Sequence, residues 1–398
     1  MPDKIADKAS AAGGNALRRL AACGQSCWLD DLSRRMMADG EFSRLIAAGV
    51  RGVTANPATV AKAMTSGTDY DTDIRRAAAA GRAAPEIYEA LVTADIRRAC
   101  DILRPVYDDS DGGDGFVSLE VSPHLANDTG GSIAEAKRLW AAVDRPNLFI
   151  KIPGTRAGVP AIEELLFDGV NINITLLFSV ERYEAVAEAF LSALRRRIAA
   201  NRPVAGISSV ASFFLSRIDV LIDKVLADKT GADAHSLRGK VAIANARLAY
   251  QSMKQIFGMA EWEAFKARGA RAQRLLWAST GTKNPLYPDL MYVEPLIGPM
   301  TVNTMPEQTI AALIDHGSVV AGTIEQEVAE ARDLIAELER SDIRLADIAA
   351  RLEREGIAKF EEALDQSITH IEDIYEALMA DNPDLRVRRP ARPKAGKE

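Results

Sequence analysis

Short runs rich in β-branched and aromatic residues alternate with longer segments of helical periodicity along most of this chain. The strand-like runs are Ser26–Asp30, Gly52–Thr54, Gly115–Val121, Leu148–Pro153, Asn171–Leu177, Pro203–Val210, Leu275–Ser279 and Tyr292–Pro295. The segments between them carry apolar residues three and four positions apart, as in 132–143, 159–167, 180–198 and 237–257. Strict alternation implies parallel pairing, and about eight such units close into an α/β fold, the (β/α)8 TIM barrel.

An open, doubly wound sheet is the competing architecture for alternating strands and helices. Open sheets that bind nucleotides carry a Gly-x-Gly-x-x-Gly turn after the first strand or a Walker-type loop. Neither pattern occurs in this sequence. A chain of 398 residues is long enough for one barrel with insertions, so we favour the closed barrel.

The organisation of the chain follows from where the alternation stops. Residues 317–380 are charged and of helical period throughout, which predicts two or three helices appended to a barrel of residues 1–316 that includes an N-terminal helix. We expect these helices to pack on the barrel surface or on a partner subunit in preference to forming a substrate lid. Residues 381–398 form a basic tail, which is typical of a solvated chain end, with polyanion contact as the alternative.

Composition excludes several classes of function. Hydrophobic residues make up 47% of the chain and charged residues 26%, as in ordinary globular proteins, and the formal net charge of −7 argues against a nucleic-acid partner. No stretch approaches the roughly 18 apolar residues of a membrane span, and the first residues lack an apolar signal segment. Three cysteines are too few for a disulfide framework, so we expect a cytoplasmic protein.

Lys151 is the residue that points to a function. It lies within Leu148–Pro153, an apolar run whose strand chemistry would place it inside the fold. A buried lysine loses the hydration of its ammonium group, and the neutral amine can attack a carbonyl to form a Schiff base. The same lysine could instead snorkel at a strand end or pair with a carboxylate.

Alternation of side chains along the strands favours the reactive interpretation. Three neighbouring strands each have one apolar face, which barrel strands turn toward the surrounding helices, and one polar face. The polar faces should therefore converge inside the barrel near the carboxyl ends of the strands, where such folds hold their active sites. These faces bring together Glu120, Lys151, Asn173 and Thr175.

Two further residues end the first two strands and should join the same cavity. Asp30 follows an apolar strand and is a candidate acid/base, although it or Asp31 could be a helix N-cap. Asn56 is followed by a proline, a common turn dipeptide, so a turn role is the alternative. The alternative for Glu120 is simple pairing with Lys151. A lysine, carboxylates, carboxamides and a hydroxyl in one pocket suggest Schiff-base aldol chemistry.

We expect no metal and no cofactor. The histidines show no spacing typical of metal ligands, and Schiff-base chemistry needs none. They are His124, for which we expect a structural role, His235, His316 and His370.

At these residues the sequence resembles the transaldolases. The segment 52–58 is similar to the first family signature, with Ala55 in place of a hydroxyl residue, and 149–158 is similar to the signature around the Schiff-base lysine. Segments 117–121 and 171–179 also resemble family segments. The resemblance runs from about Asn15 to Pro306.

The resemblance implies a role for each matching residue. Lys151 would be the Schiff-base nucleophile, Asp30 the acid/base at the C4 hydroxyl, and Glu120 and Thr175 would hold the water used in carbinolamine dehydration. The substrate would be bound by Asn56, Asn173, Ser212, Arg217, Ser279 and Lys283. Arg217 would contact the sugar phosphate, and Lys283 would replace the second phosphate-binding arginine of many members.

The reaction that this family implies moves a dihydroxyacetone unit between sugar phosphates in the non-oxidative pentose phosphate pathway. The donor is fructose 6-phosphate or sedoheptulose 7-phosphate, and the acceptor is erythrose 4-phosphate or glyceraldehyde 3-phosphate. The expected partners are therefore these substrates, with no nucleic acid or membrane, and a homodimer is a candidate assembly.

Two rival functions remain at this point. A fructose 6-phosphate aldolase would release free dihydroxyacetone. The resemblance implies that such enzymes have a glutamine where this chain has Glu120 and a tyrosine where it has Phe214, so both residues favour transfer. A catalytically silent sugar-phosphate-binding barrel would be expected to lose its costly buried charges first. Retention of Lys151, Asp30 and Glu120 together favours the transferase.

Overall fold

A closed barrel of parallel strands forms the centre of the protein. The computed structural model describes residues 14–227 and 236–381. Within them the strands pair in chain order, and the last pairs with the first. The strands are β1 Gln25–Leu29, β2 Val53–Thr54, β3 Val117–Glu120, β4 Leu148–Pro153, β5 Ile172–Leu177, β6 Ser209–Phe214, β7 Arg274–Ala278 and β8 Thr301–Met305. The predicted (β/α)8 fold is confirmed.

Helices surround the barrel and follow most strands in sequence. The described helices before β6 are α1 Ala16–Ala22, α2 Arg34–Ala38, α3 Glu41–Ala48, α4 Pro57–Thr65, α5 Asp71–Ala79, α6 Ala84–Asp109, α7 Thr129–Val143, α8 Gly158–Asp168 and α9 Val180–Ala199. Those after it are α10 Ser216–Ala227, α11 Val241–Ile256, α12 Ala260–Lys266, α13 Glu307–His316, α14 Val328–Arg340 and α15 Leu345–Asp381.

The predicted sixth strand was misplaced. We expected Pro203–Val210, but the strand begins at Ser209. Gly206 has φ +83°, which turns the chain where a strand would have to extend. Val204 and Ile207 look strand-like because they are buried at 3% and 5% exposure, although they lie in a loop. With these bounds Ser212 lies inside β6, and its side chain lines the cavity described below.

The predicted eighth strand was wrong. Tyr292 and Val293 are buried, but they precede a short 3₁₀ helix, Glu294–Leu296, and the strand is Thr301–Met305. The Tyr292 hydroxyl donates a 2.8 Å hydrogen bond to Asp219 Oδ2, so this apolar run packs against α10. Residues 292–295 have a strand-like composition because they include buried side chains, and not because they form a strand.

Aromatic side chains fill the lower part of the barrel. Phe149 shares the inward face of β4 with Lys151, and its ring stacks on Phe116 at 4.2 Å between centroids and lies 6.1 Å from Trp28. Gly52 allows this layer to close, because a Cβ there would lie 2.6 Å from the Trp28 ring. Polar residues therefore occupy the inward positions above this layer, toward the carboxyl ends of the strands.

The last helix lies across the carboxyl-terminal mouth of the barrel. α15 packs against α4, α5, α6, α10 and β5, and His124 Nε2 lies 2.9 Å from Asp365 Oδ1 of this helix. α14 instead packs on α11. We expected the appended helices to pack on the barrel surface or on a partner subunit, and both pack on the barrel. α15 also lines the cavity at the barrel mouth, the use that we ranked lower, because an apolar helix face does not specify which surface it covers. The division at residue 316 stays a prediction.

The basic tail predicted at 381–398 lies outside the described residues except for the backbone of Asp381, which ends α15. In the described part of the chain, no helix is long and apolar enough to cross a membrane.

Candidate active site

Lys151 is buried near the end of β4, as predicted. The residue is 4% exposed, and its Nζ lies 3.1 Å from Oε2 of Glu120, which is its register partner on β3. Nζ also donates a 3.4 Å hydrogen bond to the Ala55 carbonyl. The carboxylate pairing expected of a structural lysine is therefore present. The amine nevertheless also lines a cavity, which a purely structural ion pair does not require.

This cavity has a volume of about 690 Å³ and lies between the strand ends and α15. Barrel folds place their catalytic groups at this end. Most of the predicted site residues line it: Asp30, Asn56, Lys151, Ser212, Arg217, Ser279 and Lys283. Glu120 and Asn173 are level with Lys151 on the neighbouring strands, and Thr175 lies two residues nearer the carboxyl end of β5.

Asp30 lines the cavity and does not cap the helix that follows it, which was the alternative interpretation. The cap of α2 is Ser33, whose side chain accepts from the Met36 N–H. Asp30 Oδ1 instead accepts a 3.1 Å hydrogen bond from the Thr54 hydroxyl. Burial raises the pKa of the Asp30 carboxyl, while the Lys151 ammonium and the Thr54 hydrogen bond oppose the rise. A carboxyl with a raised pKa can exchange protons near neutral pH.

Asn56 performs the local role expected of its turn dipeptide. Its side-chain oxygen accepts from the backbone N–H groups of Ala58 and Thr59 and caps α4. The residue also lines the cavity, so the cap fixes its position at the end of β2. Capping and contact with a ligand are compatible here.

Asn173 is fixed by hydrogen bonds across three strands. Its Nδ2 donates to the Ser118 hydroxyl at 2.9 Å, and its Oδ1 accepts from the Ser212 hydroxyl at 2.7 Å. Asn173 is fully buried and is the register partner of Lys151. Ser212 lines the cavity, and Asn173 contacts it through the Ser212 hydroxyl.

Glu120 and Thr175 present polar atoms with unused hydrogen-bonding capacity. Among the described residues, neither carboxylate oxygen of Glu120 nor the Thr175 hydroxyl has a partner of good hydrogen-bond geometry. Burial raises the pKa of Glu120, and the ammonium of Lys151 opposes the rise. Buried polar atoms of this kind usually hold a water or a ligand.

Two further cations, Arg217 and Lys283, line the cavity. The Arg217 guanidinium carbon lies 5.1 Å from the centroid of the Phe214 ring. Burial lowers the pKa of Arg217, and the carboxylates of Asp30 and Glu120 oppose this effect, so the guanidinium remains a cation. Lys283 is exposed at the rim.

Ser279 follows β7 with φ +57°, and its hydroxyl lies 2.8 Å from that of Ser216 at the start of α10. A left-handed conformation at a non-glycine residue is uncommon and is frequent at functional sites. It places Ser279 in the cavity wall beside Arg217.

Sequence reasoning missed several cavity residues. Thr304 lines the cavity, and its hydroxyl lies 2.8 Å from that of Thr54. It was missed because β8 was misplaced, although alternation along Thr301–Met305 would have identified it. Residues of α15, including Gly356 and Phe360, also line the cavity, and no local pattern in the sequence indicates this.

Neither part of the chain that the structure describes contains a group of three or more His, Cys, Asp or Glu side chains that could hold a metal ion. The functional groups of the cavity are an amine, carboxylates, hydroxyls, a carboxamide and cations, which suits covalent carbonyl chemistry on an anionic substrate.

Comparison with known proteins agrees with this geometry. A sequence model described as transaldolase/fructose-6-phosphate aldolase matches residues 27–371. The chain belongs to this family. The matched range of the transaldolase/fructose-6-phosphate aldolase family includes most of β1, the strands β2 to β8 and most of α15.

Similar proteins bear the transaldolase name. A transaldolase of Parafrankia sp. is 48% identical over 358 residues, which cover 90% of this chain and 97% of that protein. One of Thermobifida fusca is 47% identical, covering 89% of this chain and 97% of that protein. One of Thiobacillus denitrificans is 47% identical, covering 92% and 99%. This member of the transaldolase family is an enzyme of the transaldolase type.

Proposed function

We propose that this transaldolase moves a dihydroxyacetone unit from fructose 6-phosphate or sedoheptulose 7-phosphate to an aldose phosphate through a Schiff base on Lys151. The observation that supports it best is the buried ion pair between Lys151 Nζ and Glu120 Oε2, at 3.1 Å, beside a cavity that is also lined by the cations Arg217 and Lys283. A neutral amine forms when the ammonium passes its proton to a neighbouring base, and Glu120 is close enough to accept it.

The first half of the reaction forms and uses the Schiff base. Lys151 Nζ attacks the C2 ketone of the donor, and the carbinolamine loses water, which Glu120 and Thr175 hold. Asp30 removes the proton of the C4 hydroxyl, and the C3–C4 bond breaks with the iminium as electron sink. The aldose phosphate leaves, and a three-carbon enamine stays bound to Lys151.

The second half reverses these steps with another substrate. The enamine carbon attacks the aldehyde of erythrose 4-phosphate or glyceraldehyde 3-phosphate, and Asp30 returns the proton to the new hydroxyl. Water then hydrolyses the iminium and frees Lys151. The mechanism is ping-pong, because the first product leaves before the second substrate binds.

Binding of the substrates divides between the two ends of the cavity. Asn56, Asn173 and Ser212 are assigned to the dihydroxyacetone unit next to Lys151. Arg217, Ser279 and Lys283 are assigned to the phosphate, because an anion is stabilised most by a guanidinium or ammonium in a partly buried position. Lys151 Nζ and the Arg217 guanidinium carbon lie 6.0 Å and 5.6 Å from the same Phe360 ring centroid, so one sugar phosphate is long enough to contact both groups.

Release of free dihydroxyacetone is the competing activity within the family. Glu120 and Phe214 are the residues that favour transfer here, as their resemblance to transaldolases implies. We further propose a cytoplasmic location and, as the candidate assembly, a homodimer, which light scattering on the purified protein would test.

A product assay separates transfer from release. Fructose 6-phosphate and erythrose 4-phosphate are supplied together, and sedoheptulose 7-phosphate, glyceraldehyde 3-phosphate and dihydroxyacetone are measured by mass spectrometry. A transaldolase forms the two sugar phosphates in equal amounts with little free dihydroxyacetone. Free dihydroxyacetone in amounts equal to glyceraldehyde 3-phosphate would instead identify an aldolase.

A further inference from the structure

The α15 helix contributes an aromatic side chain to the cavity. Phe360 is 2% exposed, and its ring centroid lies 6.0 Å from Lys151 Nζ and 5.6 Å from the guanidinium carbon of Arg217. The ring therefore lies within about 6 Å of both the amine and the guanidinium assigned to the phosphate. None of the reaction steps described above uses this residue.

A glycine one turn earlier allows the helix to come this close. A Cβ on Gly356 would lie 2.9 Å from Leu176 Cδ2 and 3.3 Å from Arg217 Nη1. Leu176 has φ +60°, and the pairing of β5 with β6 changes register between Ile174 and Leu177. The strand end and the helix are thus in direct contact at the barrel mouth, and Phe360 is held there.

The chemistry of the enamine gives this cover a function. Release requires a proton on the nucleophilic carbon, attack of one water on C2 and cleavage of the C–N bond, which frees dihydroxyacetone and the amine. Transfer requires the same carbon to form a C–C bond with an aldehyde carbon, whose oxygen takes the proton. Hydrolysis of the iminium at C2 follows in both cases, so the competing step is the transfer of a proton from water to the nucleophilic carbon.

We propose that Phe360 is a specificity-determining residue that favours transfer over release by keeping water from the nucleophilic carbon of the enamine on Lys151. Its apolar ring occupies space above the amine that water would otherwise fill, while the acceptor aldehyde enters along the cavity. The same ring and Phe214 lie 5.6 Å and 5.1 Å from the Arg217 guanidinium carbon, so Phe360 also positions the cation at the phosphate end. This inference rests on the proposed function.

The test is a graded series at position 360 in the full-length enzyme: Phe360→Leu, Phe360→Val and Phe360→Ala. Transfer is measured as sedoheptulose 7-phosphate formed from fructose 6-phosphate and erythrose 4-phosphate. Release is measured as dihydroxyacetone formed in the same mixture. The matched control is Ile371→Ala, which truncates a fully buried residue of the same helix outside the cavity.

The ratio of transfer to release should fall in the order Leu, Val, Ala, and by about tenfold for Phe360→Ala. Phe360→Leu keeps most of the apolar cover and loses the ring, so its ratio should stay near that of the unsubstituted enzyme while KM for fructose 6-phosphate rises about two- to fivefold. Ile371→Ala should lower the melting temperature without changing the ratio.

Three results would contradict the inference or the proposed function. An unchanged ratio in a folded Phe360→Ala protein overturns the inference, and if that variant does not fold, equal ratios for Phe360→Leu and Phe360→Val do so. An equal fall in Ile371→Ala also overturns it, since general loosening would then be the cause. Absence of a borohydride-stable adduct on Lys151 in the unsubstituted enzyme would overturn the proposed function itself, whatever the ratios.

Discussion

Lys151 Nζ lies 3.1 Å from Glu120 Oε2, and both side chains are almost fully buried, at 5% and 3% exposure. Taking two charges out of water costs several kcal/mol per ion, and mutual attraction offsets that cost incompletely. Such a pair contributes little to stability compared with apolar side chains of the same volume. Its location beside a cavity explains why the protein retains it.

Replacement of the lysine tests its role as nucleophile. Lys151→Ala should reduce kcat to below about one thousandth of its original value, because the other lysines that line the cavity are exposed and Lys151 is the buried one, next to Glu120. The fold should persist, since the buried Glu120 carboxyl, whose pKa burial already raises, can take up a proton and become neutral. Turnover and circular dichroism of the purified variant check both statements.

The control for this prediction is Lys62→Ala. Lys62 lines the same cavity, but its side chain is 76% exposed. Its removal should leave kcat within about threefold. Residual activity of Lys151→Ala equal to that of Lys62→Ala would be incompatible with the site assignment.

Replacement of Asp30 should stall the reaction at a recognisable stage. Asp30→Asn removes the base for the C4 hydroxyl proton, so C3–C4 cleavage should slow by about 10²- to 10⁴-fold while the Schiff base still forms. Borohydride treatment with fructose 6-phosphate should then trap the intact six-carbon sugar phosphate on Lys151. Intact mass distinguishes this adduct from the three-carbon adduct of the unsubstituted enzyme.

Asp31→Asn is the matched control, because Asp31 lines the same cavity one residue later. It should give the three-carbon adduct at nearly the original rate. A three-carbon adduct formed at full rate by Asp30→Asn would assign the C4 proton to another group.

The cation at the rim should act on the phosphate alone. Lys283→Ala should raise KM for fructose 6-phosphate by about tenfold, and added salt should reduce the difference between the two enzymes. Turnover of unphosphorylated fructose should not change. Initial rates with both sugars at two ionic strengths measure these effects.

Lys266→Ala provides the comparison, since Lys266 is an exposed lysine of α12 outside the cavity. If Lys283→Ala and Lys266→Ala change KM equally, general surface charge is responsible and Lys283 has no specific phosphate role.

A buried carboxyl away from the cavity should make stability depend on pH. Burial raises the pKa of Asp219 from 3.8 to about 7, and hydrogen bonds from the Ala242 N–H and the Tyr292 hydroxyl oppose the rise. Between these values the folded state holds a proton that the unfolded state releases. The contribution of Asp219 to the free energy of unfolding therefore falls as pH rises from about 4 to 7, by up to about 4 kcal/mol, and is level above that.

Urea denaturation of the unsubstituted protein and of Asp219→Asn, measured from pH 4.5 to 8, tests the sign. The difference in unfolding free energy between the two proteins should move in favour of Asp219→Asn as pH rises. A difference that moves the opposite way would mean that the two hydrogen bonds outweigh burial and hold the pKa below its usual range.

The sequence predicted the barrel and the centre of the site because both depend on local alternation. The bounds of β4 were predicted as Leu148–Pro153, and parity along β3 and β4 placed Glu120 and Lys151 on the same inward face, where they pair. A buried charge in an apolar strand is costly, which makes it visible without any structure.

The parts that were missed depend on contacts between segments far apart in sequence. Tyr292 and Val293 are buried without being in a strand, and the Tyr292 hydroxyl bonds to Asp219 of α10, so the eighth strand was misplaced by several residues. From sequence alone, Gly356 would be expected to lower the stability of its helix. The absence of a Cβ there lets α15 approach Leu176 and Arg217. Only the tertiary structure shows that the close packing of α15 offsets the low helix propensity of this glycine.

The most direct test of the mechanism is borohydride trapping with fructose 6-phosphate, followed by intact mass and peptide mapping. Reduction converts a lysine-bound iminium into a stable secondary amine. The account predicts one three-carbon adduct per chain, located on Lys151. An adduct on another lysine, or none in folded protein that turns over this sugar, would contradict it.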